Sequence, residues 1–365
     1  MRVLVTGGAG FIGANFVHYC LSTNRSCRVV VLDAVTYAGN MSSLQALPNR
    51  SDFRFVRGDI RDEGLVEQLL IEESIDTIVH FSAESHVDRS IESPHLVVET
   101  NVLRTHSLLC AARRVWLSRS RTRSHRFHHV STDEVYGSLG PDDAPFTESS
   151  PYAPNSPYSA SKAASDHLVR AYHQTYGLQI TLSNCSNNYG PYQFPEKLIP
   201  LTILCILGGK GIPVYGDGLH RRDWLNVIDH CRALDLILTH GKSGEVYNIG
   251  GRSEHANIDL ITSLCKVADE LFANSSALRR DYLDCPAARG MECSSLITPV
   301  PDRPGHDRRY SINCDKIQQQ LGFCPSIPFA RGLRETFIWY LQNKWWWCDA
   351  PVVPISWAQE KSLAH

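Results

Sequence analysis

No stretch of this 365-residue chain approaches the ~20 consecutive apolar residues that a bilayer-spanning helix needs, so no membrane is expected as a partner. Charge of one sign is missing too: a net charge of −2 gives no general attraction to nucleic acid or to an anionic membrane surface. The 12 cysteines include no Cys-x-x-Cys pair and no Cys/His spacing of the zinc type. No metal is therefore expected, and the thiols read as reduced and mostly buried. Internal repeats are absent. Met1 runs directly into a strand-like segment, with no charged and then apolar leader, which points to the cytoplasm. A chain of ordinary globular composition remains, long enough for one large α/β domain or two coupled ones, with small molecules as its expected ligands.

What is present is organised from the first residues onward around a glycine turn. Arg2, Val3, Leu4, Val5 and Thr6 form a short apolar run that leads into Gly7, Gly8, Ala9, Gly10, Phe11, Ile12 and Gly13, and a helical pattern follows to about Leu21. The spacing of Gly7, Gly10 and Gly13 lets backbone N–H groups approach a pyrophosphate at a helix N-terminus, where the dipole favours negative charge. The next strand ends at Asp33, twenty residues after Gly13. A carboxylate there can accept from both ribose hydroxyls and repels a 2′-phosphate, so the combination points to NAD in preference to NADP. Strands over 53–57 and 76–81 run into Asp59 and Ile60, and into Phe81, Ser82, Ala83, Glu84 and Ser85. In an open parallel sheet that carboxyl edge is where ligands sit. Asp59 and Ile60 are thus candidates for the adenine, and residues 81–85 for the pyrophosphate and nicotinamide side. A helix is expected over about 96–116, a solvated basic loop over 119–126, and a fifth strand over 127–130.

That fifth strand delivers Ser131, Thr132, Asp133, Glu134, Val135, Tyr136 and Gly137. Adjacent carboxyls on a loop are ordinarily solvated charges. Here they follow a cofactor turn and precede Tyr158 and Lys162, a Tyr-x-x-x-Lys pair on one helical face. A cationic Lys162 is expected to lower the pKa of Tyr158, so that the phenol can exchange a proton with a sugar hydroxyl near neutral pH. Past Ile180 the strand and helix alternation becomes uneven. A loop over 187–197, then Pro213, Val214 and Tyr215, then Arg221, Arg222, Asp223 and Trp224, and last Asp302, Arg303, Pro304, Gly305 and His306 offer amides, aromatic faces and guanidinium groups. Together they suit an anionic substrate that contains rings. The aromatic tail, Trp339, Tyr340 and Trp345 to Trp347, is expected to pack on the fold or on a second subunit. The expected fold is α/β, a Rossmann-type doubly wound parallel sheet with a smaller α/β C-terminal substrate domain. The division is residues 1–182 plus a return segment about 219–248 for NAD, about 183–218 and 249–345 for the substrate, and 346–365 as a tail.

These motifs resemble the extended short-chain dehydrogenase/reductase family and, within it, the 4,6-dehydratases of dTDP-glucose. The match runs from residues 6–13 through 36–40, 83–90, 131–137 and 158–163. It continues through the loop over 187–197 and Arg222, Asp223 and Trp224 to 302–307. The resemblance implies tightly held NAD and conversion of a nucleoside-diphospho-glucose to its 4-keto-6-deoxy form. It implies that Tyr158, aided by Thr132 and Lys162, takes the C4 hydroxyl proton while the C4 hydride passes to NAD. Glu134 would then remove the C5 proton, Asp133 would protonate the departing C6 hydroxyl, and the hydride would return to C6. It places NAD contacts on Gly7, Gly10, Phe11, Ile12, Gly13, Asp33, Ala34, Val35, Thr36, Asp59, Ile60, Phe81, Ser82, Ala83, Ser85, Thr100, Tyr158, Lys162 and Asn188. Substrate contacts fall on Ser85, Thr132, Asn187, Glu196, Lys197, Leu198, Pro213, Val214, Tyr215, Arg222, Asn257, Asp302, Arg303, Pro304, Gly305 and His306. A homodimer is implied as well, joined through the Tyr158 helix and the helix near 96–115, with Ala111, Ala112, Ala163 and Ala164 as small residues for close packing.

Four residues at three places depart from the family pattern. Ser82 stands beside the cofactor where Ala is usual, His220-Arg221 replace a usual Asn-Val beside the nucleotide, and Phe323 replaces a usual Trp. Base preference is where the second departure bears, so dehydration of UDP-glucose is the first alternative. A sugar-nucleotide 4-epimerase would need NAD, Tyr158 and Lys162 but has no use for an acid and a base at C5 and C6. A non-catalytic NAD sensor would have no reason to keep Thr132, Asp133, Glu134, Tyr158 and Lys162 together.

Overall fold

A computed structural model describes residues 1–23, 26–45, 47, 51–118 and 124–348. Its strands, in chain order, are β1 (Arg2–Thr6), β2 (Arg28–Asp33), β3 (Phe53–Arg57), β4 (Thr77–His80), β5 (Arg126–Thr132) and β6 (Ile180–Cys185). They continue as β7 (Asn187–Tyr189), β8 (Ile212–Tyr215), β9 (Arg221–Asn226), β10 (Val246–Ile249), β11 (Glu254–Ala256) and β12 (Ile297–Val300). Seven of them form one sheet in the order β3-β2-β1-β4-β5-β6-β10, and every pairing in it is parallel. The direction of winding reverses between β1 and β4, which opens a crevice at the carboxyl ends of the strands.

The sequence dictates this arrangement simply. β1, β2 and β4 are covered on both faces, and accordingly read as nearly continuous valine, leucine and isoleucine rather than as an alternation. β3, at the edge, alternates Phe53, Arg54 and Phe55 and is only half-buried. Helices α1 (Phe11–Thr23), α2 (Arg104–Trp116) and α3 (Pro157–Tyr176) flank the sheet. One core holds Phe16 and Val17 of α1 against Val3 and Val31, and a second holds Leu108 and Trp116 of α2 with Val169 of α3 against Leu4 and Ile78. The start of α3 is fixed locally. Ser156 and Ser159 form a reciprocal capping box, Pro157 occupies the first turn, and Gly177 closes the helix at φ +76°.

A third core lies in the remaining chain. There α4 (Leu198–Leu207), α5 (Asn257–Ala273) and α6 (Phe329–Gln342) bring together Ile199, Ile203, Leu260, Leu264, Leu333 and Phe337. It is accompanied by a three-stranded sheet, β11-β9-β7, and the parallel pair β12-β8. No helix of the described residues is long and apolar enough to cross a membrane.

Three local expectations need correction. The helix read over about 96–116 is interrupted: a short helix Pro94–Val97 passes into a π-helical turn Val98–Leu103 before α2 begins. That turn directs Thr100 and Asn101 inward, both buried. The loop read over 187–197 opens with a strand, β7. And Ala111 and Ala112 are fully buried in the chain's own core, so they offer no small-residue surface to a partner. The aromatic tail does fold back. Trp346 is buried, stands edge-on to Tyr192 and Trp339, and donates its indole N–H to Ser43. Within the basic segment, Arg126 opens β5 and caps the carbonyls of Ile237 and Gly241; residues 119–123 and the tail beyond 348 lie outside the described residues.

Candidate active site

The crevice between β1 and β4 is one cleft. Its wall includes Gly7, Gly10, Phe11, Ile12, Gly13, Asp33, Ala34, Thr36, Asp59, Ile60, Phe81, Ser82, Ala83, Ser85, Thr100, Thr132, Asp133, Glu134, Tyr158, Lys162 and Asn188. The glycines are there for space. A Cβ on Gly13 would lie 2.2 Å from the Gly7 carbonyl oxygen, and one on Gly7 would meet the Ser82 backbone at 2.6 Å. Gly7 also adopts φ +73°. The turn therefore closes on itself, and α1 starts with its N-terminus at the cleft. Asp33 accepts from the Ala9 N–H at 2.8 Å and from the Val35 N–H at 2.7 Å. Burial raises its pKa, and these two donors pull it back. Of the expected cofactor residues, Val35 alone does not line the wall. Held at φ +52°, it shapes the chain around Asp33 instead.

β5 ends at Thr132, whose hydroxyl accepts from the Glu134 N–H and so starts the 3₁₀ turn Asp133–Tyr136. The turn puts the two carboxyls in unlike places. Asp133 is 2% exposed, and its Oδ2 has no hydrogen-bond partner among the described residues. Burial, then the charges of Glu134 and Asp223, push its carboxyl well above the usual range. Glu134 is half-buried. Burial raises it too, but Arg222, Lys197 and Arg303 draw it back. The neighbours thus favour a proton on Asp133 and a charge on Glu134.

Tyr158 and Lys162 reach the same wall from α3, yet the expected lowering of Tyr158 is not what the polypeptide itself produces. Burial first, then the charge of Glu134, hold the phenol well above its ordinary value, with a Thr132 hydrogen bond pulling the other way. The Lys162 ammonium donates to the Val130 carbonyl at 2.8 Å.

A second cleft joins the first through Ser85, Glu134, Asn187, Asn188, Glu196 and Lys197. Leu198, Pro213, Tyr215, Arg222, Asn257, Arg303 and His306 complete the expected residues in it; Val214, Asp302, Pro304 and Gly305 lie off its wall. Asp302 acts behind His306, accepting at 2.6 Å from its Nδ1 and standing 3.3 Å from Nε2 of His220. The two imidazoles stack at 3.6 Å between centroids. Arg222 is 5% exposed, donates to the carbonyls of Arg221 (2.8 Å) and Asp307 (2.9 Å), and lies over the Tyr310 ring at 4.3 Å.

Sequence reasoning missed several wall residues. Arg104 lines the first cleft, and Arg89 the second. It also missed Asn101, which brackets the backbone of Glu84 with hydrogen bonds in both directions and reaches Ser161 of α3 at 2.8 Å. A helical asparagine among apolar residues was the available signal.

Comparison with known proteins places this geometry. The family model described as GDP-mannose 4,6 dehydratase matches residues 4–336. A dTDP-glucose 4,6-dehydratase of Xanthomonas campestris is 53% identical over 94% of this chain and 94% of its own. The crystal structure of the Streptomyces venezuelae dTDP-glucose 4,6-dehydratase DesIV, with NAD bound, superposes with a TM-score of 0.83 at 46% identity, covering 95% of this chain and 99% of that one. The Thermus thermophilus UDP-glucose 4-epimerase, in complex with NAD, also superposes, with a TM-score of 0.78 at 29% identity over 94% and 100% of the two chains. The fold is therefore common to both chemistries, and what separates them here is identity near one half along almost the full length: the chain belongs to the nucleotide-sugar 4,6-dehydratases, among the dTDP-glucose 4,6-dehydratases.

Proposed function

We propose that the protein converts dTDP-glucose to dTDP-4-keto-6-deoxy-glucose by NAD-dependent dehydration. The observation that carries this reading is the Asp133-Glu134 pair, Asp133 on the wall of the first cleft and Glu134 on both, with the acid buried and the base facing Arg222, Lys197 and Arg303, which oppose the effect of its burial. The glycine turn and the Asp33 carboxylate suit NAD, since backbone N–H groups can approach a pyrophosphate where no Cβ would fit. When bound, NAD would accept the hydride from C4 and return it at C6.

The chain's own part is proton movement. Tyr158, with Thr132 beside it, takes the C4 hydroxyl proton, which first requires its raised pKa to be brought down. Oxidation at C4 acidifies the C5 hydrogen; Glu134 removes it, and a proton returns to C5 when the hydride reaches C6. Asp133, kept protonated by burial, gives its proton to the C6 oxygen so that water can leave. The second cleft takes the nucleoside diphosphate, with Arg222, Arg303 and Lys197 as its cations and Asn187 and Asn257 presenting buried oxygens that have no partner among the described residues. The division expected from the sequence follows this: residues 1–182 with about 219–248 hold NAD, and about 183–218 with 249–345 hold the nucleotide.

Incubation with dTDP-glucose and UDP-glucose side by side, followed by the alkali-induced absorbance of a 4-keto sugar, tests the reading. We expect signal with dTDP-glucose; silence with both would sink it. Within the same reading the enzyme is a cytoplasmic homodimer. The exposed Ile91, Val98 and Leu103 are the apolar side chains that a partner would cover. Sedimentation at micromolar concentration should give twice the chain mass, and a monomer would remove this part.

A further inference from the structure

Next to Lys162 lies a group of buried polar side chains that the proposed mechanism does not use. Asp166 follows Lys162 by four residues in α3, as Lys162 follows Tyr158, so the three share one helical face. Lys162, His129 and Asp166 are 4%, 0% and 3% exposed. The Lys162 ammonium lies 3.5 Å from Nε2 of His129, and the same ring nitrogen lies 3.2 Å from Oδ1 of Asp166. The Ser131 hydroxyl donates to the other carboxylate oxygen, Oδ2, at 2.8 Å.

One imidazole nitrogen cannot both accept from an ammonium and donate to a carboxylate. If Nε2 accepted from Lys162, a neutral Asp166 would leave the buried ammonium without a counter-charge, which is costly. With the proton on Nε2, His129 would turn its N–H toward an ionised Asp166, whose Oδ1 has no hydrogen-bond partner among the described residues, and the cation would be balanced. We propose that Asp166, oriented by Ser131, is the counter-charge that keeps Lys162 protonated in the active site, a positioning residue that acts on Tyr158 through Lys162. This rests on Tyr158 and Lys162 having the roles given above.

The remaining groups facing the pair leave Asp166 as the group that carries the anion above about pH 7. Burial holds His80 and His129 well below the ordinary imidazole value, so both stay neutral. His80 is tied to Thr6 and Thr105, and Cys185 is pushed up to about 12 and stays a thiol. Tyr152 hydrogen-bonds to Asp166, and its phenol is pushed up and stays neutral, while His167 adds a favourable charge to Asp166 when protonated. Burial lowers Lys162, and Asp166 is the first group to oppose that. Burial raises Asp166 to about 7, with Lys162 and then Ser131 pulling it down.

The sign follows. Without the carboxylate, Lys162 loses its proton at lower pH, so the alkaline limb of kcat moves down. In Asp166→Asn we expect that limb to fall by about one pH unit or more, with KM little changed and Asp166→Glu restoring most of the shift. The titration of Lys162, read by NMR on full-length protein labelled with ε-¹³C-lysine and assigned with Lys162→Arg, should fall by the same amount; it needs no turnover. Ser131→Ala should shift both readouts the same way by less, and decides the matter if Asp166→Asn does not fold. A folded variant in which neither the Lys162 titration nor the alkaline limb moves would overturn the proposal. Wild-type protein without dehydratase turnover would instead overturn the functional reading, and the NMR titration would still decide the role of Asp166.

Discussion

Replacing Glu134 by Gln should slow turnover of dTDP-glucose by about 10²–10⁴-fold, the range for loss of a general acid or base, and Asp133→Asn should do the same, while both variants keep their NAD. Each substitution preserves size and removes one proton-transfer capacity. NAD retention is expected to survive because the glycine turn and Asp33, which suit the cofactor, make no hydrogen bond to either carboxyl. The two losses should be distinguishable in deuterated water. Glu134→Gln cannot remove the C5 proton, so recovered substrate should carry no deuterium at C5. Asp133→Asn retains that base and should allow C5 exchange while water loss stalls. Unchanged turnover in both variants would refute the assignment, and C5 exchange in the wrong variant would reverse it. An epimerase reading predicts no elimination at all, which makes this pair of substitutions more telling than any superposition of folds.

The parts of the structure that were legible before any coordinates are those in which a local physical rule had one solution. A valine-rich run, a turn that tolerates only glycine and an acidic strand end twenty residues later can be read because no other residue fits those backbones. The structure shows why: Gly13 has no room for a Cβ. Strands 53–57 and 127–130 were legible from short apolar runs bounded by turns. The break in the helix near residue 98 was not, because a π-turn carries no composition signal. It is held by tertiary contacts, chiefly Asn101 to Glu84 and Ser161.

The direction of the Tyr158 shift was missed for a similar reason. The i, i+4 spacing shows that Lys162 shares a face with Tyr158, but not that its ammonium is engaged by the Val130 carbonyl. It shows still less that Glu134, distant in sequence, faces the phenol. Three-dimensional neighbours decide a pKa. His220 illustrates the same limit from the other side: its departure from the family pattern was visible, whereas its stacking on His306 was not.

Arg222→Gln is the second change with a large expected effect, and it separates binding from chemistry. The guanidinium lines the nucleotide cleft while holding two backbone carbonyls and the Tyr310 face. Loss of a buried, hydrogen-bonded cation opposite an anionic ligand costs about 2–5 kcal/mol, so KM should rise roughly thirty-fold or more. The same charge is the first that draws Glu134 down. Glu134 works ionised, so activity fades as pH falls through its pKa. Removing Arg222 raises that pKa, and the acid limb of kcat should move to higher pH, by less than the full effect of burial because Lys197 and Arg303 remain. Arg222→Lys should return the limb toward its original place, since the charge is kept, yet leave KM high, because an ammonium cannot reproduce a planar fork that spans two carbonyls and stacks on a ring. An acid limb unmoved in Arg222→Gln would show that Glu134 is not the base this cation prepares, whatever happens to KM.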